Sequence, residues 1–169
     1  MRSITPEECA TWAREHGVKL AESRSLFSGE PPTQAFRFTI PGKASVQIAL
    51  SEALVDAIPG IAQSLLWMTD WPLYHEHEMA LLMRIRASYG ESRLLSHAPG
   101  HVLEEADRSI LAGLIFLMQA FAWDSYYVTP DARSILFTSH HELMEVFTQD
   151  GQFAAKIREI GTRFRLDLT

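Results

Sequence analysis

Ile110 to Trp123 reads Ile-Leu-Ala-Gly-Leu-Ile-Phe-Leu-Met-Gln-Ala-Phe-Ala-Trp, and Gln119 is the one polar side chain among these fourteen residues. A helix this apolar has no face to offer water, so protein must surround it on nearly every side. A sheet packed alongside can supply much of that cover. Crossing a bilayer takes about 20 apolar residues, so the run is too short to span one. It predicts a central buried helix near 102–122 and no membrane partner.

The rest of the chain must then supply the cover, and 169 residues are enough to do so as a single domain, 1–169. The N-terminus, Met1-Arg2-Ser3-Ile4-Thr5-Pro6-Glu7-Glu8, turns acidic before any apolar stretch of signal-peptide length develops, so a soluble, cytoplasmic protein is expected. Cys9 stands alone, which excludes an internal disulfide and a Cys-rich zinc site, and reads as a small packing residue.

The formal net charge of −6 is unevenly placed. Residues 51–107 hold nine acids against Arg84, Arg86 and Arg93, which is the whole surplus. A nucleic-acid binder needs a basic stripe to displace counterions from phosphates, and none is visible, so nucleic acid is not an expected partner. The acidic middle serves as a solubilising surface or as a face for a basic protein.

Thr5-Pro6-Glu7-Glu8 carries a capping box and predicts a helix to His16, stopped by Gly17. Residues 18–35 read mostly as loop. Phe36-Arg-Phe-Thr-Ile40 and Val46-Gln-Ile-Ala-Leu50 alternate around Pro41-Gly42 and predict a hairpin. Ser51 is placed as the cap of a helix over 52–58, resumed over 61–68 after Pro59-Gly60. A further helix is expected over 72–87, then a loop over 90–101. After the core helix, strands 125–129 and 134–139 flank Pro130-Asp131. In 140–148 the Ser139–Glu142 capping box argues for a helix, while Met144-Glu-Val-Phe-Thr148 suits a third strand that would extend the hairpin, and the strand is expected. Asp150 caps a helix to about Ile160, and Phe164, Leu166 and Leu168 alternate as a short terminal edge strand. The fold class is α+β: an antiparallel sheet of about five strands packed against several helices.

Chemistry is harder to read. His75-Glu76-His77-Glu78 resembles a metal sequence, but on a helix residues two apart point to opposite sides, and the i, i+4 spacing of a helical zinc pair is missing. His140-His141-Glu142 ends a strand, where neighbours also face apart. A shared pocket is geometrically allowed if His97 and His101, before the core helix, meet His140 and His141, with Asp124 or Glu142 supplying a carboxylate. That set defines one alternative: a metal-dependent hydrolase in which a divalent ion activates water. No G-x-S-x-G elbow and no phosphate-binding glycine loop occurs in the sequence.

Trp71, Tyr126 and Tyr127 form the candidate interaction surface, since Trp and Tyr favour interfaces and only one of the two tyrosines can face outward from its strand. The leading expectation is therefore a small interaction or regulatory module without assignable catalysis or resident cofactor, binding a protein partner or a second copy of itself. Small-molecule binding between helix and sheet is the other alternative.

Overall fold

The structure, a computed structural model, describes residues 1–18, 33–70 and 76–169, side chains excepted at 76–78. In chain order it runs β1 (Arg2–Ile4), α1 (Pro6–Glu15), β2 (Gln34–Thr39), α2 (Ala44–Ala57), β3 (Leu65–Asp70), α3 (Glu76–Ser88), β4 (Gly100–Val102), a 3-10 turn (Glu105–Asp107), α4 (Arg108–Ala120), β5 (Asp124–Val128), β6 (Ser134–Ser139), β7 (Leu143–Thr148) and α5 (Gly151–Phe164). The strands form one sheet in the order β1-β4-β3-β5-β6-β7-β2, with every pairing antiparallel. The α+β class stands. The sheet has seven strands, not five.

Short-range signals act as expected. Thr5 Oγ1 accepts from Glu8 N at 3.3 Å while Glu8 Oε2 accepts from Thr5 N at 2.7 Å, and Gly17 closes the helix at φ +70°. Asp150 caps α5 by accepting from Gln152 N and Phe153 N. The apolar rod is buried along one side, at Leu111, Leu114, Ile115, Leu117, Met118 and Trp123, while Ile110, Ala112, Gly113, Phe116, Phe121 and Ala122 are partly exposed and Ala120 is exposed. Its one polar member finds a partner, as Gln119 Nε2 donates to Ser51 Oγ at 2.9 Å. Ser51 in turn donates to Gln47 O at 2.8 Å, so it sits inside α2 and is not a cap.

Four expectations are corrected. Residues 46–50 belong to α2, because Gln47, Leu50, Ser51, Leu54 and Val55 continue a 3.6-residue stripe that outweighs a five-residue alternation. Residues 65–68 are strand, since Leu65, Leu66 and Met68 are buried in the middle of the sheet between β4 and β5 and therefore show no alternation. The core helix begins at Arg108, because Gly100–Val102 pairs with β1 and β3 first. The terminal segment is not a strand, although Thr169 and Arg37 exchange backbone bonds of 2.9 and 3.0 Å beside β2. Residues 19–32 of the expected loop, the expected helix start at Pro72, and Trp71, Tyr74 and His75 lie outside the described residues.

Two cores result. On one face, α2, α4 and α5, joined by Leu82 of α3, pack against Phe36, Phe38, Leu66, Met68, Tyr127, Leu136, Met144 and Val146. The other face carries a smaller cluster in which Cys9, Trp12 and Ala13 of α1 cover Ile4, Leu65 and Val102. Among the described residues, helical cover is therefore unequal: α2, α4 and α5 lie on one face and α1 on the other.

Candidate functional site

One row of residues crosses that second face through all seven strands. Register places Ile4 opposite Gly100, Gly100 opposite Trp67, Trp67 opposite Tyr126, Tyr126 opposite Phe137, Phe137 opposite Glu145 and Glu145 opposite Arg37. The row begins as packing under α1 and changes character as it leaves that helix. Trp67, Tyr126, Phe137 and Glu145 are partly exposed, and Arg37 is exposed. The Tyr126 and Phe137 rings stack with centroids 4.7 Å apart, and Arg37 Nε meets Glu145 Oε1 at 3.6 Å. Phe147 lies on the same face, two residues from Glu145.

Of the two candidate tyrosines, Tyr126 is the outward one. Burial raises its hydroxyl pKa, and the carboxylates of Asp124 and Glu145 raise it further, so negative potential from two strands converges on this ring. Tyr127 points the other way, into the helix-covered core, where burial also drives its hydroxyl upward.

Asp124, two residues before Tyr126, shares its face and anchors a second constellation. A register shift between Met68 and Asp70 brings Asp70 opposite Asp124. Asp124 Oδ1 accepts from His140 N at 2.6 Å, and His140 Nδ1 lies 2.9 and 3.0 Å from the two carboxylate oxygens. Glu142, at φ +58°, closes the turn that holds His140, and the His140 and His141 rings sit 4.1 Å apart. Ligand atoms of Asp70, Asp124 and His140 lie within 4.8 Å of one another, the one such trio among the described residues. Two carboxylates and an imidazole are a donor set suited to manganese, zinc or iron(II).

His97 and His101 are elsewhere. His97 is exposed in the loop before β4, and β3 and β5 separate β4 from β6, whose end carries His140. His101 is wholly buried on the helix-covered face, in the row with Leu66 and Tyr127. Asp70, Phe137 and Glu145 were not singled out by sequence. Each comes from a different register position, and only the alternation of Phe137 within its strand was there to be read.

No protein-family model, no curated protein and no solved structure matches the chain. The fold defines its class: α+β, with a seven-stranded antiparallel sheet on which Trp67, Tyr126, Phe137 and Glu145 are partly exposed.

Proposed function

We propose that this chain is a non-catalytic interaction module, and that the half-face from Trp67 to Glu145 docks a basic segment of a partner protein. The observation that carries the reading is the row itself: Trp67, Tyr126 and Phe137 lie side by side, with Glu145 next in register and Asp124 two residues along the strand from Tyr126. Arginine and lysine stems lie well on aromatic faces, and their cationic heads reach flanking carboxylates without leaving water. The net charge of −6 draws a basic partner in and disfavours a second copy of the same chain.

The test uses nona-arginine as the probe and nona-glutamate as its control, with binding followed by calorimetry at two salt concentrations. The arginine peptide is expected to bind, and more weakly at the higher salt. Loss of a buried aromatic anchor costs roughly 2 kcal/mol, or about 30-fold in Kd, for Tyr126→Ala combined with Phe137→Ala. Glu52→Gln, an exposed charge on α2, removes as much charge as Asp124→Asn but should leave binding intact. Equal losses in Glu52→Gln and Asp124→Asn would reduce the effect to unspecific charge attraction and refute the reading.

A second reading has its own support in the Asp70, Asp124 and His140 trio: a divalent ion held at the end of β3 and β5. Titration with Mn2+ and Zn2+ should then give one saturable site, lost in Asp124→Ala. Heat signals unchanged by that substitution would exclude it.

A further inference from the structure

Arg86, on α3, faces the helix-covered side and has an unsolved electrostatic problem. It is 0% exposed, yet its Nε and Nη2 have no hydrogen-bond partner. Its Nη1 has only the Met83 sulfur, at 4.0 Å. His101, on the same side of the sheet, is also 0% exposed, and its ring is turned towards the backbone of Leu66 and Pro99. Burial first, and the Arg86 charge second, push His101 down to about 3, so the ring is neutral at ordinary pH. The carboxylate that acts on Arg86 is Glu91, but Glu91 is committed to Arg93 through bonds of 2.6, 3.0 and 3.1 Å.

A guanidinium stays charged in proteins, and a buried charge without a paired, hydrogen-bonded partner is strongly disfavoured. The unpartnered pair matters for its shape. Nε and Nη2 form the side edge of the guanidinium, two parallel N–H donors spaced to meet both oxygens of one oxyanion. A groove of about 460 Å3 runs along α3, lined by Ala80, Met83, Arg84, Ala87, Gly90 and Glu91 among others. Met83 therefore both lines the groove and touches the guanidinium, and its thioether chain is flexible enough to swing aside.

We propose that Arg86 forms a receptor for an oxyanion, a carboxylate or phosphate group, which enters from the α3 groove past Met83. The Nε–Nη2 edge takes two of its oxygens. Arg84 at the groove adds long-range attraction, and the apolar wall of Ala80, Met83 and Ala87 accommodates a short hydrocarbon tail. The site lies on the opposite side of the sheet from the docking face and does not depend on it.

The test is thermal unfolding in inorganic phosphate and in sodium hexanoate, each against chloride at equal ionic strength. At least one oxyanion should raise the melting temperature saturably, by about 5–10 °C at a hundredfold excess over Kd. A phosphate response without hexanoate, or the reverse, identifies which group the receptor takes. Arg86→Met should abolish the rise and, in chloride, melt no lower than the parent, because it removes an unpaired buried charge. Arg84→Met should keep the rise. Absence of any rise above chloride would overturn the proposal. So would a rise that survives Arg86→Met or vanishes in Arg84→Met, or an Arg86→Met protein that melts well below the parent or fails to fold. As an independent readout, the Arg86 Nε 15N resonance of the unaltered protein should shift saturably with the same anion, and a fixed resonance would also overturn it.

Discussion

Gly100→Ala tests how tightly α1 is seated on the sheet, which is the contact that bounds the proposed docking face. Gly100 sits in β4 between Ile4 and Trp67, at the point where α1 descends on the sheet. A Cβ built there would stand 2.1 Å from Cys9 Sγ and 2.7 Å from Ile4 Cγ1. Unstrained contact needs about 3.5–4.0 Å, so the sulfur clash is short by roughly 1.5 Å. Neither neighbour has room to yield: Cys9 is completely buried, Ile4 nearly so, and α1 is fixed at its start by the Thr5–Glu8 box. Overpacking of this kind costs typically 1–3 kcal/mol, and two simultaneous clashes argue for the upper end. For a chain of this length each kcal/mol is worth about 2–4 °C, so the melting temperature should fall by about 6–12 °C. Calorimetry on Gly100→Ala, Cys9→Ala and the double variant closes the cycle. Removing the sulfur relieves the shorter clash, so in the Cys9→Ala background the glycine substitution should cost at least about 1 kcal/mol less. Additivity within about 0.5 kcal/mol, or a single variant that melts within a degree of the parent, would refute this account of the β1–β4–α1 packing.

Three shorter predictions concern groups the fold has enclosed. Cys9 is buried, and burial, reinforced by the Glu8 charge, pushes its thiol up to about 12; iodoacetamide should leave the native protein unmodified at pH 8 and react only after urea is added, whereas rapid native labelling would contradict the packing. Asp107 takes the Met1 ammonium at 2.6 Å, Glu104 N at 2.8 Å and the Tyr89 hydroxyl at 2.7 Å. Burial pushes its carboxyl up, but these partners together hold it below the ordinary value, so its contribution is present above that value and fades as pH falls through the lower folded one. Asp107→Asn should cost about 3 kcal/mol at pH 7, with the gap to the parent closing in acid melts, and a pH-independent gap would deny the ion pair. Ser51→Ala strands buried Gln119 Nε2 and should cost about 1–3 kcal/mol in urea unfolding, while adding Gln119→Leu restores most of it.

How much of this was legible depended on sequence distance. The Thr5–Glu8 box, the Asp150 cap and the 125–139 hairpin rest on contacts between near neighbours, and the sequence carries them in plain form, whereas the Ser139–Glu142 spacing also mimics a helix start and left 140–148 open. Gln47 to Val55 misled because a short alternation and a helical stripe coincide at Leu50, and only the longer window separates them. β3 hid because burial on both faces erases its period, and β1 and β4 because three residues are too few to show one. Asp124 and His140 could be named as site residues from sequence, since both are polar groups at element ends. Their meeting with Asp70 could not be read, because it depends on a bulge in β3. Phe137 and Glu145 were out of reach for the same reason: a row across strands exists only once register is fixed.

That row also explains why the partly exposed face is better suited to binding than to aggregation. A sheet surface with incomplete helical cover invites edge and face association if it stays aliphatic. Here the row passes from Ile4 and Gly100, locked under α1, to aromatic rings, and then to the Glu145–Arg37 pair at the far side. On the β2 edge, the exchange of backbone bonds between Arg37 and Thr169 occupies the middle of the strand. Apolar area is thus concentrated in rings with flanking charge, the composition of an interface core with a polar rim. The same gradient predicts the order of effects along it. Substitution at Tyr126 or Phe137 should disturb binding more than stability, while substitution at Gly100, at the other end of one continuous row, should do the reverse.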